Sequence, residues 1–277
     1  MTKISASDVN TLRKKTGAGM MDCKNALVEA NGDFDKAIDV LRKKGQKVAS
    51  KRADRDATEG VVLARVSDNS KFGALISVNC ETDFVAKNED FISLTNQILD
   101  GAINGEIMNS DDLKKMSING MTVEEKLLEQ TGVIGEKIEL GFYASIKDEL
   151  VSAYTHHGNK LATIAGLNIN DSEFIEVGKD VCMQIAAMNP IGVSESDISQ
   201  DVLDKELEIA KDLARKEGKP EQMIEKIALG RLGKFFKENT LLKQAFIKDG
   251  KKSIESYLKE KNSGLTVNSF KRFGLSN

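Results

Sequence analysis

Apolar residues in the first 45 positions recur at helical spacing and are punctuated by glycine. Val9 and Leu12 share one face of a segment that Ser7 can cap and that ends at Thr16-Gly-Ala-Gly. Cys23, Ala26, Leu27 and Ala30 share a face of a second segment, with Asp22 as its cap and Gly32 as its stop. Phe34, Ala37, Ile38 and Leu41 form the apolar stripe of a third, capped by Asp33 and stopped by Gly45. Short side-chain acceptors before an apolar run and glycine after it are helix start and stop signals. So few large residues make only a small core. Two methionines, Met20 and Met21, follow the first glycine turn. Either one is core and one exposed, or the pair is a soft docking surface. The charged stretch Lys47–Gly60 reads as a solvated linker. Its basic part extends a helix more readily than it binds nucleic acid, because it carries no aromatic residue for base stacking.

Beyond the linker one plan occurs twice. Gly60–Val66 and Lys71–Cys80 are strand patterns, followed by a loop and a helix pattern around Phe91–Leu99. Glu149–Phe174 and Val177–Met188 repeat that order, with Gln97-Ile98 matching Gln184-Ile185. A strand pair plus helix, twice, predicts an α+β fold of two related halves, each burying one sheet face under a helix. The first copy has Glu-Thr-Asp-Phe-Val at residues 81–85 where the second has Asn-Asp-Ser-Glu-Phe, so the fold alone does not dictate that loop. Leu203, Leu207, Ala210 and Ala214, then Ile224, Ala228, Leu232 and Phe235, follow heptad-like spacing on either side of Gly218 and Pro220. These predict an antiparallel helical hairpin, either protruding or packed within the domain. The tail from Leu265 alternates like a late strand that returns to a sheet. The expected division is 1–54 helical module, 55–140 first half, 141–200 second half, 201–237 hairpin and 238–277 return segment completing the second half.

Composition narrows the class. A hydrophobic content of 40% and a charged content of 30% fit a globular chain, and a net charge of −3 shows no general bias toward nucleic acid. Residues 195–208 are acidic, whereas basic residues dominate from Arg231 onward. Cys23, Cys80 and Cys182 are odd in number and far apart, which suggests free thiols in a reducing compartment. With no apolar leader and no long apolar run, the expectation is a cytoplasmic protein that does not meet a membrane.

Candidate chemistry is sparse. Gly132–Lys137 has the wrong glycine spacing for a phosphate loop, and no Cys or His spacing suits zinc. His156 and His157, read as strand residues, would point to opposite faces. A thiol site at Cys80 is conceivable, but a cysteine in an apolar strand is more often core. No catalytic residue, metal ligand or cofactor is expected. What stands out is Asp83-Phe84 between a strand and a helix. A large apolar side chain there must either fold back or enter a partner.

Residues 12–27, Gly32–Ile38 and "VNCETDFVAKN" at 78–88 together closely resemble the bacterial elongation factor Ts family, and residues 230–249 continue the likeness. The resemblance covers nearly the whole chain. It implies a guanine nucleotide exchange factor for elongation factor Tu, with no covalent chemistry. It also implies an N-terminal ubiquitin-associated-like helical module, two related core subdomains and a coiled-coil hairpin. In that family the TDFV loop, here Thr82, Asp83, Phe84 and Val85, pushes its Phe into the GTPase beside the magnesium site. Arg13, Met20 and Met21 match the N-terminal docking motif. Ile134, Gly135 and His157 match second-subdomain positions that approach another domain of Tu, although "THHG" carries an extra residue. Many members continue past the "FKRF" strand into a helix that also grips Tu; this sequence stops at Asn277, so that contact is expected to be missing. The resemblance leaves open a homodimer or a Tu2Ts2 assembly. It also leaves open an adaptor that uses the helical module without exchange activity.

Overall fold

The computed structural model describes residues 4–275. The expectations that involve Met1–Lys3 of the N-terminus and the chain end at Asn277 lie outside them. Three helices open the chain: α1 (Ala6–Thr16), α2 (Met20–Glu29) and α3 (Phe34–Arg52). Their core is small, as the pattern predicts: Val9, Leu12, Ala18, Cys23, Ala26, Leu27, Ala30 and Ala37. Two caps differ from expectation. Ser5, not Ser7, caps α1, through a capping box in which Asp8 reaches back to the Ser5 amide. Gly19 precedes α2, and Asp22 sits in its first turn, paired with Lys44 of α3. Asp33 caps α3 as expected, accepting from the amides of Asp35 and Lys36.

Gly45 does not stop α3, which runs on to Arg52 and absorbs the basic half of the expected linker. The glycine is buried because another helix crosses there. A Cβ built on Gly132 would stand 2.4 Å from the Gly45 Cα. Two helices that close can meet only where both lack side chains. The stop signal was a contact signal.

The remainder comprises β1 (Glu59–Val66), β2 (Phe72–Cys80), α4 (Asp83–Ala86), α5 (Glu89–Asn104), α6 (Ser110–Lys115), β3 (Ser117–Ile118), β4 (Met121–Thr122), α7 (Val123–Ile134), β5 (Glu139–Lys147), β6 (Leu150–Thr155), β7 (Leu161–Leu167), α8 (Ile175–Met188), α9 (Gln200–Lys216), α10 (Glu221–Asn239), β8 (Ala245–Phe246), β9 (Asp249–Ser253), α11 (Ile254–Lys261) and β10 (Val267–Gly274). Helices and antiparallel strand pairs make a mixed α+β fold. One three-stranded sheet has the order β1-β2-β5 and the other β10-β7-β6. Each is a hairpin joined by a later antiparallel strand. β10, the late strand expected from the tail, pairs with β7 as β5 pairs with β2.

The sheets are buried on both faces, which goes beyond the expectation of one covered face each. α5 lays Phe91, Leu94, Ile98, Leu99, Ala102 and Ile103 on the outer face of the first sheet, against Phe72, Ala74, Ile76 and Val78. That i, i+3, i+4, i+7 spacing is what a surface helix needs to bury one stripe. α8 covers the second sheet through Val177, Val181, Cys182 and Ile185. The inner faces meet each other: Val62, Leu75 and Ile146 pack against Val151, Ala162 and Ile164. Phe142 and Phe273 stack there with ring centroids 4.5 Å apart. The alternation in β1 is therefore apolar on both sides, Val61 and Leu63 outward to α5, Val62 and Ala64 inward to the other sheet.

α9 and α10 pack on each other through the anticipated stripes, with Ala210, Ala214, Ile224 and Ala228 buried and Leu203, Leu207, Leu232 and Phe235 half-buried. Gly218 takes φ +73° between them, and Pro220 immediately precedes α10. Arg231 bonds Glu217 across the pair at 2.7 Å.

Candidate functional site

β2 ends at Cys80, whose Sγ donates to the Thr82 carbonyl at 3.2 Å. Thr82 then caps α4, its hydroxyl accepting from Val85 N at 3.5 Å. The segment read as a loop is thus a single helical turn. Asp83 lies in that turn and pairs with Lys87 at 2.6 Å. The Lys87 hydrogen bond holds the Asp83 carboxyl below its usual value, and the Lys160 charge adds to this. Val85 and Ala86 turn inward onto the core of the first sheet. Phe84 points the other way and is 83% exposed, the most exposed of the large apolar side chains among the described residues. Fold-back, the alternative left open by the sequence, does not occur. After α4, Asn88 caps α5 by accepting from Asp90 N at 2.8 Å.

Ile134 and Gly135 are not second-half residues. They end α7, with Ile134 packed on the core of the first sheet and Gly135 as its left-handed cap at φ +83°. The "GVIGEK" glycines therefore serve a helix crossing and a helix end. His156 and His157 are not on a strand either. They sit exposed in the turn between β6 and β7, and His156 Nδ1 bonds the Tyr154 hydroxyl at 2.8 Å. That turn leans on the first sheet: Asn159 O accepts from Val62 N at 2.7 Å, and Lys160 pairs with Glu59 at 2.9 Å. Glu59 is the register partner of Cys80. The His157 turn and the Phe84 turn consequently share one end of the double sheet.

Met20 and Met21 are 54% and 62% exposed, so neither belongs to the small helical core. Arg13 is exposed on α1. A groove of about 590 Å³ runs from Lys14, Lys15 and Gly17 at the end of α1 to Val85, Phe91 and Ile134. It joins the α1–α2 turn, after which the methionines stand, to the base of the Phe84 turn.

Sequence reasoning passed over Arg52, Glu81 and Glu136. Arg52 bonds both oxygens of Glu81, at 2.9 and 2.7 Å. Although its surroundings disfavour the charged form, the Lys137 amide and Arg52 hold the Glu81 carboxyl below its usual value. Glu136 takes the Thr82 amide at 3.0 Å and the Thr82 hydroxyl at 2.7 Å. Nothing in the local pattern marks these residues, because their partners lie 29 and 54 positions away.

Cys23, Cys80 and Cys182 are all buried and unpaired with one another. Burial, reinforced by the Glu136 charge, pushes the Cys80 thiol up to about 12. Almost no thiolate then exists at neutral pH, which argues against a thiol nucleophile there. Among the described residues no cluster of His, Cys, Asp and Glu is disposed to hold a metal, and no helix is long and apolar enough to cross a membrane.

The chain matches the model of a family described as "Elongation factor TS" over residues 81–277. It is 53% identical over 275 residues to an elongation factor Ts of Christiangramia forsetii, covering 99% of this chain and 100% of the relative. It is 49% identical over 275 residues to that of Flavobacterium psychrophilum, covering 99% and 100%. Likeness to the Clostridium perfringens protein of the same name is 44% over 279 residues, covering 98% and 92%.

Proposed function

This chain belongs to the elongation factor Ts family, and from that premise we propose that it binds elongation factor Tu and promotes GDP release and GTP exchange. The Phe84 turn acts as a wedge: Phe84 enters Tu and disturbs the residues and waters that hold magnesium on the nucleotide phosphates. The observation that carries this reading is an aromatic side chain 83% exposed on a capped turn. Thr82 and Val85 hold the turn. Asp83 bonds its own turn or a donor on Tu, and as a lone carboxylate it makes a poor magnesium ligand. Arg13, Met20 and Met21 dock the N-terminal helices on Tu, and Ile134, Gly135 and His157 contact it around the same end.

Exchange of this kind makes and breaks no covalent bond. It needs tight binding to empty Tu and weak binding to the nucleotide-bound form, and linkage makes the weakening reciprocal. Lowering nucleotide affinity about 10⁴-fold takes roughly 5.5 kcal/mol of coupling. Burying one Phe supplies only about 1.5–3 kcal/mol. A broad second interface must therefore hold the wedge in place, which is the role given to the docking residues.

In this reading 1–54 is a ubiquitin-associated-like docking module, 55–140 and 141–200 with 238–277 are the paired core subdomains, and 201–237 is a coiled-coil hairpin. The factor works in the cytoplasm without cofactor, nucleic acid or membrane, as a homodimer or in a Tu2Ts2 assembly. The deciding experiment is stopped-flow release of fluorescent GDP from Tu. Acceleration by the added chain is expected; binding to Tu without acceleration would reduce the chain to an adaptor.

A further inference from the structure

Two carboxylates lock the chain just before the Phe84 turn to the segment that follows α7, and each holds the peptide beside the other. Glu81, at the exit of β2, accepts from Lys137 N at 2.6 Å. Glu136, just after α7, accepts from Thr82 N at 3.0 Å and from the Thr82 hydroxyl at 2.7 Å. The exchange is reciprocal, from residue 81 to 137 and from 136 to 82. Thr82 passes the hold onward, because the same hydroxyl caps α4. Arg52 completes the arrangement from the last turn of α3 with two bonds to Glu81.

The physical need is clear. α4 has four residues, far too few to hold a helical turn by its own hydrogen bonds. An exposed Phe on a loose turn would sample many directions, and ordering it on contact would subtract from the binding free energy. Carboxylates on backbone N–H groups form charge-assisted bonds, stronger than neutral ones. Resting on the reading of Phe84 as the wedge, we infer that Glu136 and Glu81 are positioning residues for it. They form a reciprocal clasp that sets the projecting turn before Tu arrives, and Arg52 ties that clasp to the three-helix module.

The test measures release of fluorescent GDP from Tu over a series of factor concentrations, giving a maximal rate and a half-saturating concentration. Wild type, Phe84→Ala, Glu136→Ala and the double variant are compared. Glu136→Ala should lower the maximal rate about tenfold or more, since small misplacements of an acting group are costly. The half-saturating concentration should stay within about threefold, because the substitution changes none of the docking side chains Arg13, Met20, Met21, Ile134 and His157. In the Phe84→Ala background, Glu136→Ala should cost nothing further: a residue that acts through Phe84 has nothing left to position. Glu136→Gln keeps one acceptor for Thr82 and should fall between; it carries the test should Glu136→Ala not fold. A wild-type rate for the Glu136 variants, or an equal loss in both backgrounds, overturns the clasp. A wild-type rate for Phe84→Ala alone overturns the wedge beneath it, so the two failures are distinguishable.

Discussion

At the scale of single residues, Phe84 and Glu81 are opposites. Phe84 has little to lose from truncation within its own chain, being 83% exposed. Phe84→Ala is expected to change folding stability by no more than about 0.5 kcal/mol, as for other surface sites. It should slow GDP release more than it weakens binding to empty Tu, because the wedge acts where nucleotide and factor compete. A loss of several kcal/mol in denaturant unfolding would instead mark a core residue. Glu81, only 15% exposed in its side chain, is bound by Arg52 and the Lys137 amide. Its carboxyl lies lower folded than unfolded. The unfolded chain therefore binds its proton first on acidification, and the stability Glu81 contributes is complete above the ordinary Glu value of about 4.3 and lost as pH falls through the lower folded value. Glu81→Gln should flatten that part of the stability-against-pH curve; an unchanged slope would show that the pair contributes nothing.

Among the elements, the crossing of α3 and α7 is a contact highly sensitive to one added methyl group. A Cβ on Gly132 would fall 2.4 Å from the Gly45 Cα, whereas one on Gly45 would lie 3.5 Å from its nearest neighbour, the Gly132 Cα. Gly132→Ala should force the helices apart and destabilise by about 1–3 kcal/mol, the usual range for overpacking. Gly45→Ala makes ordinary contact and gains helix propensity of up to about 1 kcal/mol, so it should be neutral or stabilising. Thermal denaturation of the two variants tests the asymmetry, and equal losses would contradict it. The α9–α10 connection offers the converse case. Lys219 is exposed in the short turn between those helices. Lys219→Glu should leave the circular dichroism and the GDP release rate nearly intact; clear unfolding would show that the tip is packed.

At the scale of the whole molecule, the three-helix module is joined to the sheets by more than its chain. Val133 of α7 packs into the small helical core, and Arg52 reaches Glu81. Deleting 1–54 should therefore do two things: sharply reduce affinity for Tu, and lower the melting temperature of what remains by baring the α7 face. Titration and calorimetry separate these effects. Unchanged affinity would remove the docking role, and an unchanged melting temperature would show that the α3–α7 contact is dispensable.

The helix stripes, the twofold strand-pair-and-helix plan, the hairpin and the returning β10 follow from residue order alone, because side-chain periodicity reports which face of an element is apolar. The TDFV segment and the family likeness were legible for the same local reason, as contiguous residues. Periodicity does not report what covers an apolar face. That the two sheets cover each other, leaving β1 apolar on both sides, emerges from long-range packing. Whether a glycine stops a helix or admits another one depends on what stands opposite, and Gly45 meets Gly132. Phe84 projects rather than folding back because Val85 and Ala86 already fill the place beneath the turn. The clasp was invisible for a related reason: Thr82 and Glu136 are 54 residues apart, and only the pairing of β2 with β5 brings them together.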